Sequence, residues 1–208
     1  MGLPSIMVYT RGFRTLISTV LLGLMATIVI GSVSAQAHAP LKKSCAHGGP
    51  CAIGSKGPGG GNVFYDAGAN KSWGRYLEAA PVGWSGGPAD PRVPWCDDGR
   101  QVLIGGTKAG IGKGAANTRR MVAKCRSGAA NSARAYKGGG KSDWYLPSKA
   151  ELNALYTNRA AVGGCPNYGC WSSTEADAGY AWFQDFSSGL QLGGKKDFAD
   201  GVRPIRAF

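Results

Sequence analysis

Residue types able to do chemistry are sparse in this chain, and their spacing restricts what they can do. The two histidines, His38 and His47, fall in a Gly- and Pro-rich stretch. A Ser-His-Asp relay would have to recruit its base from that loop. Glu151, Glu175, Asp185, Asp197 and Asp200 supply carboxylates, but no spacing sets two of them across a cleft. The run GGTKAGIGKG (105–114) looks like a phosphate loop, yet Thr107 stands where the pattern needs Gly, and Gly114 where it needs Ser or Thr. It is expected to be a turn-rich lead into a helix. The cysteines at 45, 51, 96, 125, 165 and 170 contain no C-x-x-C pair, which argues against a metal site. Neither catalysis nor a cofactor is expected, and a structural calcium ion on Asp97 with Asp98, or Asp197 with Asp200, is left open.

The elements that must position these residues are short. Pro147 followed by Ser148-Lys149-Ala150-Glu151 is a capping box, and Leu152, Leu155 and Tyr156 then form the buried stripe of a helix. Upstream, Ala115 to Cys125 places Thr118, Met121, Val122 and Cys125 on one stripe and leaves Arg119 and Arg120 in solvent. A second short, Ala-rich helix is expected over Gly128 to Lys137, ended by three glycines. Asn62 to Asp66 and Arg75 to Ala80 have strand character, and GPGGG (57–61) reads as the turn before them. Tyr180 to Phe186 alternates, with Trp182, Gln184 and Phe186 on one face. Val202 to Phe208 is the last strand, where Pro204 requires an edge or a bulge. Trp84 and Trp95, in the irregular run 81–100, are expected to be core. The order predicts an α+β fold, with helices on an antiparallel sheet that contains the end of the chain.

Bulk composition supports a loop-rich domain: 34 of 208 residues are Gly and only 17% are charged. Residues 1–37 read as a signal peptide. Arg11 and Arg14 precede an apolar run from Leu16 to Ile30, and Ser34-Ala35-Gln36-Ala37 gives cleavage before His38. That run of about 15 residues is short for a bilayer core of roughly 30 Å, though retention as an anchor is the alternative. Residues 38–61 form a Gly/Pro-rich segment, loop or stalk, and 62–208 a single domain. Export makes three disulfides the expected use of six cysteines. Cys45 with Cys51 and Cys165 with Cys170 close small loops, and Cys96 with Cys125 makes a longer staple. The formal charge of +12 falls to +10 without the signal, 22 basic against 12 acidic residues, and favours a polyanionic partner.

WYLPSKAELNALY, WSSTE, AWFQDFSSG, the Lys195-Lys196 pair and the terminal VRPIRAF resemble the C-terminal domain family of the Legionella collagen-like adhesin. The likeness extends through GPGGGNVFYDAG, RYLEAAP and the Cys96 and Cys125 region. It implies a C-type-lectin-like fold, with two main helices around a small twisted antiparallel sheet and long loops on one side. It also implies a cell-surface role, because the adhesin domain binds sulfated polysaccharides. The Glu-Pro-Asn, Gln-Pro-Asp and Trp-Asn-Asp triplets of calcium-dependent lectins are missing, so calcium-dependent sugar binding is not expected. The candidate site is Trp182, Gln184, Gln191, Lys195, Lys196 and Arg203, presented by loops to an anionic glycan or a surface protein. Trp182 and Phe186 more readily serve the core, Lys195-Lys196 can be a solvated turn, and Arg203 and Arg206 can equally be structural partners of Asp or Glu. An envelope interaction domain without glycan binding is the alternative, and a cryptic enzyme on a lectin-like fold is the third. Nucleic acid fits the charge but not the export.

Overall fold

The structure, a computed structural model, describes residues 43–97, 101–163, 165 and 169–208. The signal segment and its cleavage point lie outside the described residues.

The chain first builds a hairpin. Strands β1 (Asn62–Lys71) and β2 (Gly74–Ala79) pair antiparallel across Ser72-Trp73, and β8 (Ile205–Ala207) adds to the far side of β2. The second sheet has the order β3-β7-β4-β5-β6. Its strands are β3 (Arg92–Val93), β4 (Gly169–Glu175), β5 (Tyr180–Asp185), β6 (Gln191–Lys195) and β7 (Asp200–Gly201). Only the β4–β7 contact, Cys170 with Gly201, is parallel. The sequence-based expectation of one antiparallel sheet is thus corrected to two. The reason is local: Pro204 has no N–H to donate, and the run from Asp200 to Ala207 divides around it. β7 joins one sheet and β8 ends the other, where Tyr145 bridges Ile205.

Four α-helices are described: α1 (Gly114–Lys124), α2 (Ala129–Ala135), α3 (Lys149–Thr157) and α4 (Arg159–Val162). Both halves of the α3 capping box are present. Thr118, Met121 and Cys125 are buried as the α1 stripe requires, but Val122 is exposed. Among the described residues no helix is long and apolar enough to cross a membrane. One core cluster joins Trp95, Met121, Leu146 and Trp171, and another joins Phe64, Leu77, Leu152, Leu155 and Ile205. Trp95 is fully buried and its indole N–H donates to the Ser172 carbonyl; half-buried Trp84 donates to Val202.

Two Gly-rich loops are pinned by the same device. The sequence contains three glutamates, and each accepts backbone N–H groups from such a loop. Glu78 takes Gly59 and Gly61, Glu151 takes Gly112, and Glu175 takes Ile104 and Gly105. Residues 57–61 are consequently built into the domain, with Gly57, Gly59 and Gly61 buried, and do not form a free stalk. Burial pushes the Glu151 carboxyl upward, opposed by N–H bonds from Ser148, Gly112 and Gly114.

The disulfides are Cys45–Cys51, Cys96–Cys125 and Cys165–Cys170. Chain entropy gives the middle one the most weight, because it closes the longest loop, a separation of 29 residues. Replacing Cys96 and Cys125 together by Ala is expected to cost up to about 3.5 kcal/mol in urea unfolding, against roughly 2 for either short bridge. Equal losses from all three would contradict the loop-length argument.

Candidate functional site

The β5–β6 hairpin carries four of the six candidate residues. Strand alternation places Tyr180, Trp182 and Gln184 on one face of β5, and the register sets Lys195, Gly193 and Gln191 opposite them. Burial then divides the set. Gln184 is fully buried and braces the hairpin against α3. Its amide donates to Asn153 Oδ1 at 3.0 Å and to the Gly189 carbonyl at 3.1 Å, and its oxygen accepts from Gln191 at 3.2 Å. Gln191, half-buried, also donates to the Lys149 carbonyl at 2.8 Å.

Lys196 and Arg203 do not belong to a binding surface, which corrects the expectation for both. Lys196 Nζ is buried, 2.6 Å from Glu175, and also donates to the carbonyls of Val102 and Ala178. The strand period explains it: Lys195 pairs with Tyr180 on the open face, so its neighbour turns inward toward Trp95. Arg203 is completely buried, 2.6 Å from Asp90 and bonded to the Ala80 carbonyl. Arg206 likewise pairs with Glu78 and Asp143. The alternative use of both arginines, as structural partners of Asp or Glu, is the one the structure displays. Gln184 is corrected in the same way, from ligand contact to strut.

Trp182, Gln191 and Lys195 remain accessible. Trp182 is half-buried, with Lys149 Nζ 3.0 Å from its ring centroid. Burial lowers the Lys149 ammonium below its ordinary value. Directly across from Trp182 stands exposed Gly193, where a Cβ would meet nothing within 4 Å. The indole therefore has no side chain beside it on the partner strand. Exposed Tyr180 and Lys195 continue the face, and Phe198 lies beneath the Lys195 ammonium at 5.9 Å. The pattern is an open aromatic strip bordered by two cations and an amide. Lys149 and Tyr180 were not singled out from the sequence. The capping box places Lys149 in the first turn of α3, but its meeting with Trp182 depends on how α3 crosses the hairpin.

The hairpin turn is held by Asp185. Its carboxylate accepts from the Ser187 amide at 2.8 Å, the Ser187 hydroxyl at 2.6 Å and the Ser188 hydroxyl at 2.8 Å. Those bonds, the Ser187 hydroxyl foremost, lower its pKa from 3.8 to about 2. A lowered carboxyl stabilises the turn above 3.8 and loses that contribution as pH falls toward about 2. The Ser187 amide resonance is expected to titrate with an inflection near that lower value, and Asp185→Asn to abolish it. An inflection surviving the substitution would assign it to another group.

Four of the five carboxylates considered for catalysis are committed elsewhere, and Asp197 is exposed. Glu151 and Glu175 are buried among loop amides, Asp185 holds its turn, and Asp200 lies 4.0 Å from Arg92. Ser44 Oγ is 2.7 Å from His47 Nδ1, but both are exposed on a single-turn helix, and no carboxylate among the described residues bonds the ring. Asp90, Cys165 and Cys170 converge within 4.8 Å, yet the sulfurs form a disulfide and Arg203 occupies the carboxylate. Asp97 accepts the Ser127 amide, and its suggested calcium partner Asp98 lies outside the described residues.

A scan of protein-family models finds no match to the chain, and neither does a comparison with curated proteins.

Proposed function

We propose that the chain is an exported binding module that recognises anionic, sulfated glycans through the open face of the β5–β6 hairpin. One observation carries this reading: Trp182 faces bare Gly193 and is flanked by Lys149 and Lys195. A half-buried indole that is bare on its Gly193 side and carries the Lys149 ammonium over its ring offers an apolar edge to a sugar ring. Ammonium groups form charge-assisted bonds with sulfate or carboxylate, and Gln191 can bond hydroxyls. The three disulfides are in keeping with an oxidising compartment and hence with export. Helices packed on small sheets agree with a C-type-lectin-like architecture, to which the sequence resemblance points. No calcium ion is assigned to this reading.

Lys149→Glu with Lys195→Glu is expected to abolish retention on a heparin column at low salt, with circular dichroism unchanged. Trp182→Ala is expected to weaken it as well. Salt should release the wild type, because exposed charges are screened over about 10 Å at 0.1 M. Retention unaltered by the double substitution would remove the hairpin face from consideration.

A second reading has its own observation. Leu190, Leu192 and Phe198 are 58%, 45% and 60% exposed on or beside the same hairpin. An apolar strip of that kind suits a surface protein in the envelope. That reading predicts no retention on heparin and a stoichiometric protein partner lost with Leu192→Asp.

A further inference from the structure

A concave site lies away from the hairpin. A pocket of about 400 Å³ is lined by Trp73, Ala116, Arg119, Arg134, Asp143 and Tyr145, among others, and shares no residue with the hairpin face. Its volume falls in the range of about 300–1,000 Å³ typical of small-molecule sites. Trp73 comes from the tip of the β1–β2 hairpin. It is accommodated because residue 112 is glycine: a Cβ there would overlap the indole, and φ of +79° already favours Gly. The first half of α1 supplies Ala115, Ala116 and Arg119, so one wall is apolar and its rim is cationic.

The polar groups of this pocket have unused capacity. Among the described residues Arg119 has no hydrogen-bond or ion-pair partner. Arg134 donates from Nη1 to the Ser142 carbonyl at 3.3 Å and, weakly, to Trp144, leaving its other guanidinium nitrogens without acceptors. Tyr145 is 4% exposed, lines the pocket, and has no partner for its hydroxyl. Burial holds that phenol well above its ordinary value, with Glu151 and Asp143 adding to the effect, so it stays a neutral donor. Asp143 gives one oxygen to Arg206 and keeps the other free, with its side chain 58% exposed. Two guanidiniums and one already paired carboxylate thus line the same pocket.

We infer that this pocket binds a sugar acid: a monosaccharide-sized ring carrying one carboxylate and several hydroxyls. The carboxylate lies between the Arg119 and Arg134 forks, whose planar geometry matches it. The ring lies against Trp73 and the α1 alanines, and its hydroxyls bond Tyr145 and Asp143. A neutral sugar leaves both forks unused. A compact dianion such as sulfate has no ring to cover Trp73.

The protein with its disulfides intact is titrated with sodium glucuronate and galacturonate, and the indole N–H resonance of Trp73 is followed by NMR. Either acid should displace that resonance saturably, while glucose, acetate and sulfate at equal concentration should not. Arg119→Gln, on an exposed helix position, should weaken the binding about tenfold, the effect expected for losing a charge-assisted contact. Tyr145→Phe removes an unpartnered hydroxyl, leaves the core intact, and should weaken binding severalfold. Lys149→Glu with Lys195→Glu should leave it unchanged, which separates this pocket from the hairpin face. The inference is overturned if neither sugar acid shifts Trp73 saturably, if sulfate or glucose competes equally, or if Arg119→Gln binds like the wild type.

Discussion

Lys196→Met is expected to destabilise the domain by about 3–5 kcal/mol, whereas Lys195→Met, one residue away, should fall within about 0.5 kcal/mol of the wild type. The asymmetry follows from where the strand sends each side chain. Lys196 Nζ is buried, bonded to Glu175 and two carbonyls, with its side chain 1% exposed and that of Glu175 5%. Removing the ammonium leaves a buried carboxylate with only the Ile104 and Gly105 amides to oppose its charge. Against a total stability of some 5–15 kcal/mol, that is a large fraction. Urea unfolding measures it, and Lys196→Met with Glu175→Gln should cost less than the separate changes added together. Equal midpoints for Lys195→Met and Lys196→Met would refute the assignment. The practical consequence concerns binding assays: a Lys195-Lys196 double charge reversal would lose heparin retention by unfolding. Lys195 has to be changed with Lys149 instead.

What the sequence reveals here is mostly what is local. The α3 cap is legible because Ser148 and Glu151 lie three residues apart and bond each other. Disulfide pairing is legible because two bridges close very short loops. The phosphate-like run at 105–114 is legible as something other than a nucleotide site, since two anchor positions hold the wrong residue. What holds that run, however, comes from far away in the chain: Glu151, 39 residues downstream of Gly112, and Glu175, 70 downstream of Gly105. Lys196 and Arg203 fail for the same reason: their partners Glu175 and Asp90 are 21 and 113 residues away. A basic residue in a polar run has the same local pattern whether it is solvated or neutralised from afar. Alternation along β6 was the available signal for Lys196, but Gly193-Gly194 obscures the strand. The ladder forms there because the glycines fit: a Cβ on Gly194 would lie 2.9 Å from Trp171 and Phe183. The α1–Trp73 pocket is invisible to local pattern altogether, because it gathers a hairpin tip, a helix face and the segment before α3.

Glu78→Gln is expected to produce the other large loss, again about 3–5 kcal/mol. Glu78 is fully buried and accepts from three donors: the Gly59 N–H, shared between both oxygens at 2.8 and 3.1 Å, Gly61 at 3.0 Å and Arg206 at 2.9 Å. An amide of the same shape keeps one acceptor oxygen but turns donor hydrogens toward groups that are themselves donors. Those amides and the Arg206 guanidinium are then left unmatched in the interior, where desolvation is not recovered. The loop 57–61 should release first, so hydrogen exchange at Gly59 and Gly61 should accelerate more than at Leu77, whose strand also retains its partners in β1 and β8. Ala at Gly59 tests the same cradle from the other side, since its Cβ would lie 2.7 Å from both the Glu78 carboxylate and the Trp144 ring. The effect also reaches the sugar-acid pocket. Arg206 is shared between Glu78 and Asp143, so losing one acid frees the guanidinium to reorient the other. A Glu78→Gln protein with unchanged urea midpoint and unchanged Gly59 exchange would show that the loop is held by packing alone, and the carboxylate cradle would no longer explain why these glycine-rich segments are ordered.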